Sequence, residues 1–110
     1  MKIYPTFVGI KNHSMDTIKF EREDDGTTGR FIIYDGEIFA GEMTYKWADS
    51  KTLLIDHTRI EEAFGGRGLG KLLVAEAVKF AREQGIKIIP LCPFVKAVFS
   101  KVPSLEDVKK

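Results

Sequence analysis

Residues 65–85 read GGRGLGKLLVAEAVKFAREQG, and this stretch decides the fold. Gly65, Gly66, Gly68 and Gly70 crowd into six positions, a density that breaks helix and strand alike and marks a loop. From residue 68 to 84 the apolar residues recur at three and four. Leu69, Leu72, Leu73, Ala77, Phe80 and Ala81 fall on one face, with Lys71, Lys79, Arg82 and Glu83 on the other. Gly85 is a natural C-terminal stop. In a glycine loop that opens a helix, the backbone can approach a ligand closely and point several N–H groups at one anion. The helix dipole adds to that attraction. Arg67 and Lys71 stand at the rim. Phosphate recognition is the expected chemistry; the alternative is a turn needed only for tight packing of helix on sheet.

Upstream the period changes from helical to alternating. Residues 17–23 (TIKFERE) read as a strand with Ile18 and Phe20 on one face, followed by DDGTTG as a turn or mobile loop. Residues 30–34 and 37–47 are joined by Asp35-Gly36, a strong hairpin signal because a type I′ turn needs positive φ at both central positions. In the second arm Phe39, Met43, Tyr45 and Trp47 are expected on one face, and KTLLIDHTRI (51–60) gives a further strand. Downstream, residues 86–89 form a short strand ended by Pro90. Pro93 suits the first turn of a helix running to about Phe99, and Pro103 lies beyond its end. The tail SLEDVKK is polar and is expected to fray. The order predicts one α+β domain spanning residues 1–110, with a mainly antiparallel sheet, the glycine-loop helix packed on it and a short late helix.

Composition narrows the function classes. With 17 Lys+Arg against 16 Asp+Glu the formal charge is +1, which argues against bulk electrostatic capture of nucleic acid. No apolar run approaches the roughly 20 residues that span a bilayer, and the N-terminus, broken by Pro5 and Gly9, is unlike a signal peptide. One cysteine builds neither a disulfide nor a Cys-rich zinc site. The expectation is a cytoplasmic protein without a metal, a membrane or a nucleic-acid partner, monomeric or homodimeric.

Three phosphate loops compete for residues 65–71. A Walker loop fits Gly65-x-x-x-x-Gly70-Lys71 until Leu72, where a Ser or Thr must bind magnesium. The dinucleotide fingerprint fails because its third glycine would fall on Lys71 or Leu73. The third option matches. Strand, G-x-G, long helix and strand, all after an antiparallel meander, resemble the GNAT superfamily of acetyl-CoA-dependent N-acetyltransferases, whose loop signature is R/Q-x-x-G-x-G/A. Gly68-Leu69-Gly70 is similar to its G-x-G; Gly65 occupies the Arg/Gln position. IDHTRI (55–60), the 65–85 block and IPLCPF (89–94) together resemble a small stand-alone branch with a P-x-C motif, over roughly residues 30–107.

The resemblance implies an acetyl-CoA-dependent N-acetyltransferase acting on an amine of a small molecule or protein. It implies that the strands flanking the helix splay and that the pantetheine arm pairs with backbone of Arg59, Ile60 and Glu61. The pyrophosphate would be held by the loop from Gly65 to Lys71, with amides of Gly66 to Gly70 as donors. The thioester would end close to His57–Arg59 and Cys92.

Acetyl transfer needs a base for the amine and an acid for the thiolate. Many GNAT enzymes resemble one another in placing a tyrosine on the late helix as that acid; here no tyrosine follows Tyr45, and Phe94 and Phe99 stand there instead. Cys92, at the expected N-terminal edge of that helix, is the candidate acid or nucleophile, because free N–H groups there favour thiolate. As a small buried hydrophobe it would have no chemical role. His57 is a candidate proton relay, expected to share a face with Leu53, Ile55 and Arg59. Glu61 and Glu62 could act through water. Trp47 could border the acceptor cleft, and His13 carries no functional claim. The competing readings are a non-catalytic coenzyme-A-binding or sensor module and a ligand-free interaction domain.

Overall fold

In the computed structural model, residues 17–110 are described; the signal-peptide reading and His13 lie outside them. Five strands form one sheet in chain order: β1 (Ile18–Asp24), β2 (Thr28–Asp35), β3 (Ile38–Asp49), β4 (Thr52–Ile60) and β5 (Lys87–Pro90). The first four pair antiparallel, and β5 joins β4 in parallel after the crossover through helix α1 (Leu69–Gln84). Helix α2 (Pro93–Lys101) follows. This is the α+β arrangement expected, with element boundaries within about two residues.

Glycine punctuates α1 at both ends. Gly68 precedes it at φ 77° and Gly85 ends it at φ 68°, conformations that a Cβ disfavours. The amide of Ile86 returns to the Ala81 carbonyl at 2.9 Å, closing the last turn. Leu69, Leu73, Val74, Ala77, Val78 and Ala81 bury one stripe of α1. They pack on Phe31, Ile33, Met43, Tyr45, Leu53, Ile55 and Ile88 of the sheet. Each Leu, Val, Ile, Met or Phe side chain among them contributes about 1.5–3 kcal/mol by leaving water, and the two alanines less.

Two bulges revise the expected faces. Ile33 pairs with Gly41, yet Tyr34 pairs with Phe39, so Ala40 is the extra residue. Met43 and Tyr45 point into the core as expected. Phe39 lies instead on the outer face, beneath the Arg59 guanidinium (5.6 Å) and edge-on to Tyr34. In β4, Thr44 pairs with His57 and Tyr45 with Ile55, which leaves Asp56 as the extra residue. Its carboxylate accepts the Thr44 hydroxyl at 2.6 Å.

Two expectations of mobility are also corrected. The turn at DDGTTG is tied by the Asp25 carboxylate, which accepts the amides of Thr27 and Thr28 at 2.9 and 2.8 Å, while Thr28 and Gly29 already belong to β2. The C-terminal tail covers the free side of β5: Ile88 donates to Val108 at 2.7 Å, Lys110 donates back to Ile88 at 2.9 Å, and Val108 is buried. Arg82 secures the tail through both oxygens of Asp107.

At the end of the sheet away from the glycine loop, Asp24 collects the hydroxyl of Tyr45 (2.6 Å), the indole N–H of Trp47 (2.8 Å) and Arg22 (2.9 Å). Burial first, and then the bond to Asp24, push the Tyr45 phenol up to about 12, against the opposing pull of Arg22. A folded-state value above the unfolded one gives stability that is complete below pH 10 and lost as pH rises through 12. Thermal unfolding should therefore show a fall of order 2 kcal/mol over that window, and Tyr45→Phe should flatten it relative to the native chain.

Candidate functional site

The site begins where β4 and β5 part. They pair from Thr52–Lys87 to Ile55–Pro90 and no further. Leu91 and Cys92 both donate their amides to the Ile55 carbonyl, at 2.9 and 3.0 Å, and Pro93 then starts α2. Strand β4 continues to Ile60 paired with β3 alone. Toward β5, residues 56–60 have no strand partner among the described residues, so an extended ligand finds free backbone there.

A cleft of about 300 Å³ occupies this gap. Thr58 and Ile60 form its floor and Phe64 and Phe94 its walls; loop glycines and Lys71 close one end. Phe94 reaches the first turn of α1 because Gly70 has no side chain: a Cβ there would lie 2.8 Å from the ring. Along the loop, Gly66 and Gly68 take φ of 78° and 77°. Among the described residues, no protein acceptor takes the amides of residues 66–71, and the first helical bond is Leu72 to Gly68 at 3.3 Å. That is a row of open donors at a helix N-terminus, the arrangement that binds anions. Lys71 adds a cation with no ion-pair partner among the described residues. Together the amides, the cation and the unpartnered strand edge fit a pyrophosphate with an extended amide-bearing arm.

Cys92 precedes α2 and is 6% exposed. Its Sγ lies 3.6 Å from Thr58 Oγ1 across the gap. Burial works against ionisation of this thiol, but the Val95 amide, the Thr58 hydroxyl and the Phe94 amide outweigh it and hold the pKa below the ordinary thiol value. Thr58, read from sequence only as a strand former, is thus the nearest polar partner of the thiol.

Other expected residues are placed differently. The Asp56 bulge reverses the alternation, so His57 and Arg59 point away from the face that holds Leu53, Ile55, Thr58 and Ile60. His57 is exposed on the outer face and is not brought to Cys92. The Arg59 side chain pairs with Glu42 (3.6 Å) and Glu61 on that face, leaving only its backbone to the gap. Glu62 opens a 3-10 turn, Glu62–Phe64, and is exposed. Trp47 borders no acceptor cleft beside the loop; it lines an open cavity of about 960 Å³ at the far end of the sheet. Arg67 lies between two cleft glycines but does not itself line the cleft, and is paired with Asp35 at 2.8 Å. Among the described residues, no group of three or more His, Cys, Asp or Glu side chains could hold a metal ion. No described helix is long and apolar enough to cross a membrane.

The family model for GCN5-related N-acetyl-transferase matches residues 30–108. The chain belongs to this family. Among solved structures, this GCN5-related N-acetyltransferase family member is similar to a candidate GCN5-like N-acetyltransferase from Staphylococcus aureus, with 34% identity and a TM-score of 0.66, covering 87% of this chain and 91% of that one. A GNAT family acetyltransferase from Elizabethkingia anophelis, crystallised with acetyl-CoA, shares the fold at 14% identity and a TM-score of 0.59 over 68% of this chain and 65% of its own. Protein NATD1 of Xenopus tropicalis is 30% identical over 61 residues, 56% of each chain. The chain spans about half the length of that curated relative.

Proposed function

We propose that the protein binds acetyl-CoA in the gap between β4 and β5 and transfers the acetyl group to an amine. The observation that carries this reading is the unpartnered row of amides at residues 66–71, set at the end of an unpaired strand edge. The acetyl-CoA held by the Elizabethkingia anophelis protein of the same fold supports it. The pyrophosphate lies on the amides of Gly66, Gly68, Leu69 and Gly70, with Lys71 beside it. The pantetheine arm lies along backbone of Arg59 and Ile60 and the Glu61 carbonyl, since the Glu61 amide is already donated to Ala40 at 2.8 Å. The thioester then ends near Thr58 and Cys92.

Cys92 supplies the chemistry in one of two balanced ways. As acid, its S–H proton passes to the departing coenzyme A sulfur as the amine nitrogen forms the new C–N bond, and the resulting thiolate, stabilised by the Thr58 hydroxyl and the first-turn amides of α2, takes back the proton that the acylated amine loses. As nucleophile, its thiolate forms the S–acyl bond while coenzyme A leaves as thiolate; the amine then forms the C–N bond, Cys92 leaves as thiolate again, and the proton lost by the nitrogen goes to water or the coenzyme A thiolate. His57 sits across β4 from the thiol, so it is not placed to share a proton with it or with an amine attacking the thioester beside it. The acceptor is an amine of a small molecule or of a protein.

A second reading, a coenzyme-A-binding module without turnover, draws on Gly65 in the Arg/Gln position and on the absence of a tyrosine after Tyr45. Thermal shift comes first. Acetyl-CoA at 100 times its dissociation constant should stabilise the protein by about 2.7 kcal/mol. No shift at millimolar acetyl-CoA would overturn both readings and leave an interaction domain whose glycines serve packing. Release of free thiol in an amine screen then separates enzyme from module.

A further inference from the structure

Arg67 reaches away from the cleft toward the hairpin between β2 and β3. Its NH1 donates to Asp35 Oδ2 at 2.8 Å, and the Phe64 ring lies 5.5 Å from its guanidinium carbon. The other Asp35 oxygen accepts the Thr17 hydroxyl, so the carboxylate is held from two sides. The two partners' side chains are 33% and 23% exposed, so the pair lies at the surface and is partly screened by solvent. The Thr17 and Arg67 bonds hold the Asp35 carboxyl below the usual carboxylate range. Around Arg67 the loop has few other polar ties. Gly66 and Gly68 flank it in left-handed conformations. Gly65 donates only to Glu62, within the preceding turn, and the next loop bond is Leu72 to Gly68. Among the described residues, the Arg67–Asp35 pair is the one polar link between residues 66–68 and the sheet.

We propose that Asp35 is a positioning residue for the anion loop: by anchoring Arg67 it fixes the 66–71 amides in their binding arrangement. Arg67 is a strut and not an anion ligand, and Lys71 is the cation that meets the ligand. The physical reason is the cost of ordering. A loop carrying two left-handed glycines visits many conformations when untethered, and a ligand must then order it on binding. A pair formed before binding removes that cost from the association step. This inference rests on reading the loop as the coenzyme A pyrophosphate site.

The test is calorimetric titration of coenzyme A at fixed ionic strength into the native chain, Asp35→Asn, Arg67→Asp and the double variant Asp35→Arg/Arg67→Asp. Asp35→Asn should raise Kd about two- to fivefold, although it removes a negative charge that would otherwise repel the ligand. Arg67→Asp should weaken binding at least as much. The swapped pair should recover most of the loss, because a reversed pair still ties loop to hairpin. Melting of the free variants within a few degrees of the native chain separates loop positioning from global damage; variants that melt much lower would show a general structural role and overturn the inference. If Arg67 touches the phosphates, the swap stays as weak as Arg67→Asp and Asp35→Asn binds equally or more tightly; either result overturns the strut. A native chain that takes up no coenzyme A would instead overturn the reading of the site itself, and the strut with it.

Discussion

Cys92→Ala is expected to lower acetyl transfer by about 10²–10⁴-fold, the range of a lost general acid or base, while acetyl-CoA affinity changes less than about threefold. The division follows from placement. The affinity-bearing groups are loop amides and strand backbone, whereas the thiol lies beyond them, against Thr58 at 3.6 Å. Loss of one small buried side chain at the head of α2 leaves the amide row of the 66–71 loop intact. Thiol release in single-turnover and steady-state assays, with titration of acetyl-CoA alongside, reads the two effects separately. Intact mass of the native protein after acetyl-CoA then divides acid from nucleophile: a gain of one acetyl group on Cys92 requires the covalent route. Alkylation of the thiol supplies a check that needs no acceptor. Because the Val95 and Phe94 amides and the Thr58 hydroxyl outweigh burial, its pH midpoint should lie below that of an ordinary thiol, and Thr58→Val should raise it. Full turnover by Cys92→Ala would leave Cys92 as packing, and the coenzyme-binding reading would stand without it.

The features that could be read from sequence are those whose cause is local. The glycine loop, the α1 stripe and the β2–β3 hairpin each depend on residues within one or two turns of one another, and all three are found, with two shifts. Val74 and Val78 stand in the fully buried stripe where the pattern predicts Leu72 and Phe80, and Asp35 ends β2 paired with Ile38, so the turn residues are Gly36 and Glu37. Gly36 indeed takes a φ of 64°. The misplacements have non-local causes. A bulge inserts one unpaired residue without altering the apparent alternation, so nothing in IDHTRI announces that Asp56 is the extra residue and that Thr58, not His57, faces Cys92. Arg67 is drawn from the cleft by a carboxylate 32 positions earlier. Val108 is one of two apolar residues in a polar tail; it is buried because β5 has a free edge that the tail can cover. The family resemblance carried the splayed strands correctly, because that geometry belongs to the order of elements. It could not place side chains that only this chain's register decides.

The largest loss of stability is expected from Gly29→Ala, at the end of the sheet away from the glycine loop. Gly29 pairs with Asp24 of β1 and Tyr45 of β3. Its backbone is ordinary strand, so the demand for glycine is one of space. An added Cβ would lie 2.5 Å from the Glu23 carbonyl oxygen and 2.5 Å from the Tyr45 ring and hydroxyl. The carbonyl belongs to a paired strand and cannot yield without opening the ladder. The ring cannot yield without breaking its bonds to Asp24 and Arg22, at 2.6 and 2.8 Å. Overpacking a core costs about 1–3 kcal/mol, and disturbing a satisfied buried network adds about 1–3 more. A total near 3–4 kcal/mol lowers the melting temperature by roughly 10–20 °C in a domain of this size. Gly26→Ala is the control: φ there is 93°, but a Cβ meets nothing within 4 Å, so only the backbone penalty of about 1–2 kcal/mol applies. Circular dichroism melts of the two variants decide the matter, and equal, small shifts would mean that the Tyr45 ring does not fill the space over Gly29. Below its lowered melting temperature Gly29→Ala should still bind acetyl-CoA with near-native affinity. The amide row follows Ile60 at the other end of β4, whereas Gly29 is in register, through Tyr45, with Ile55, so the strain falls where the gap opens and not on the loop that carries the affinity.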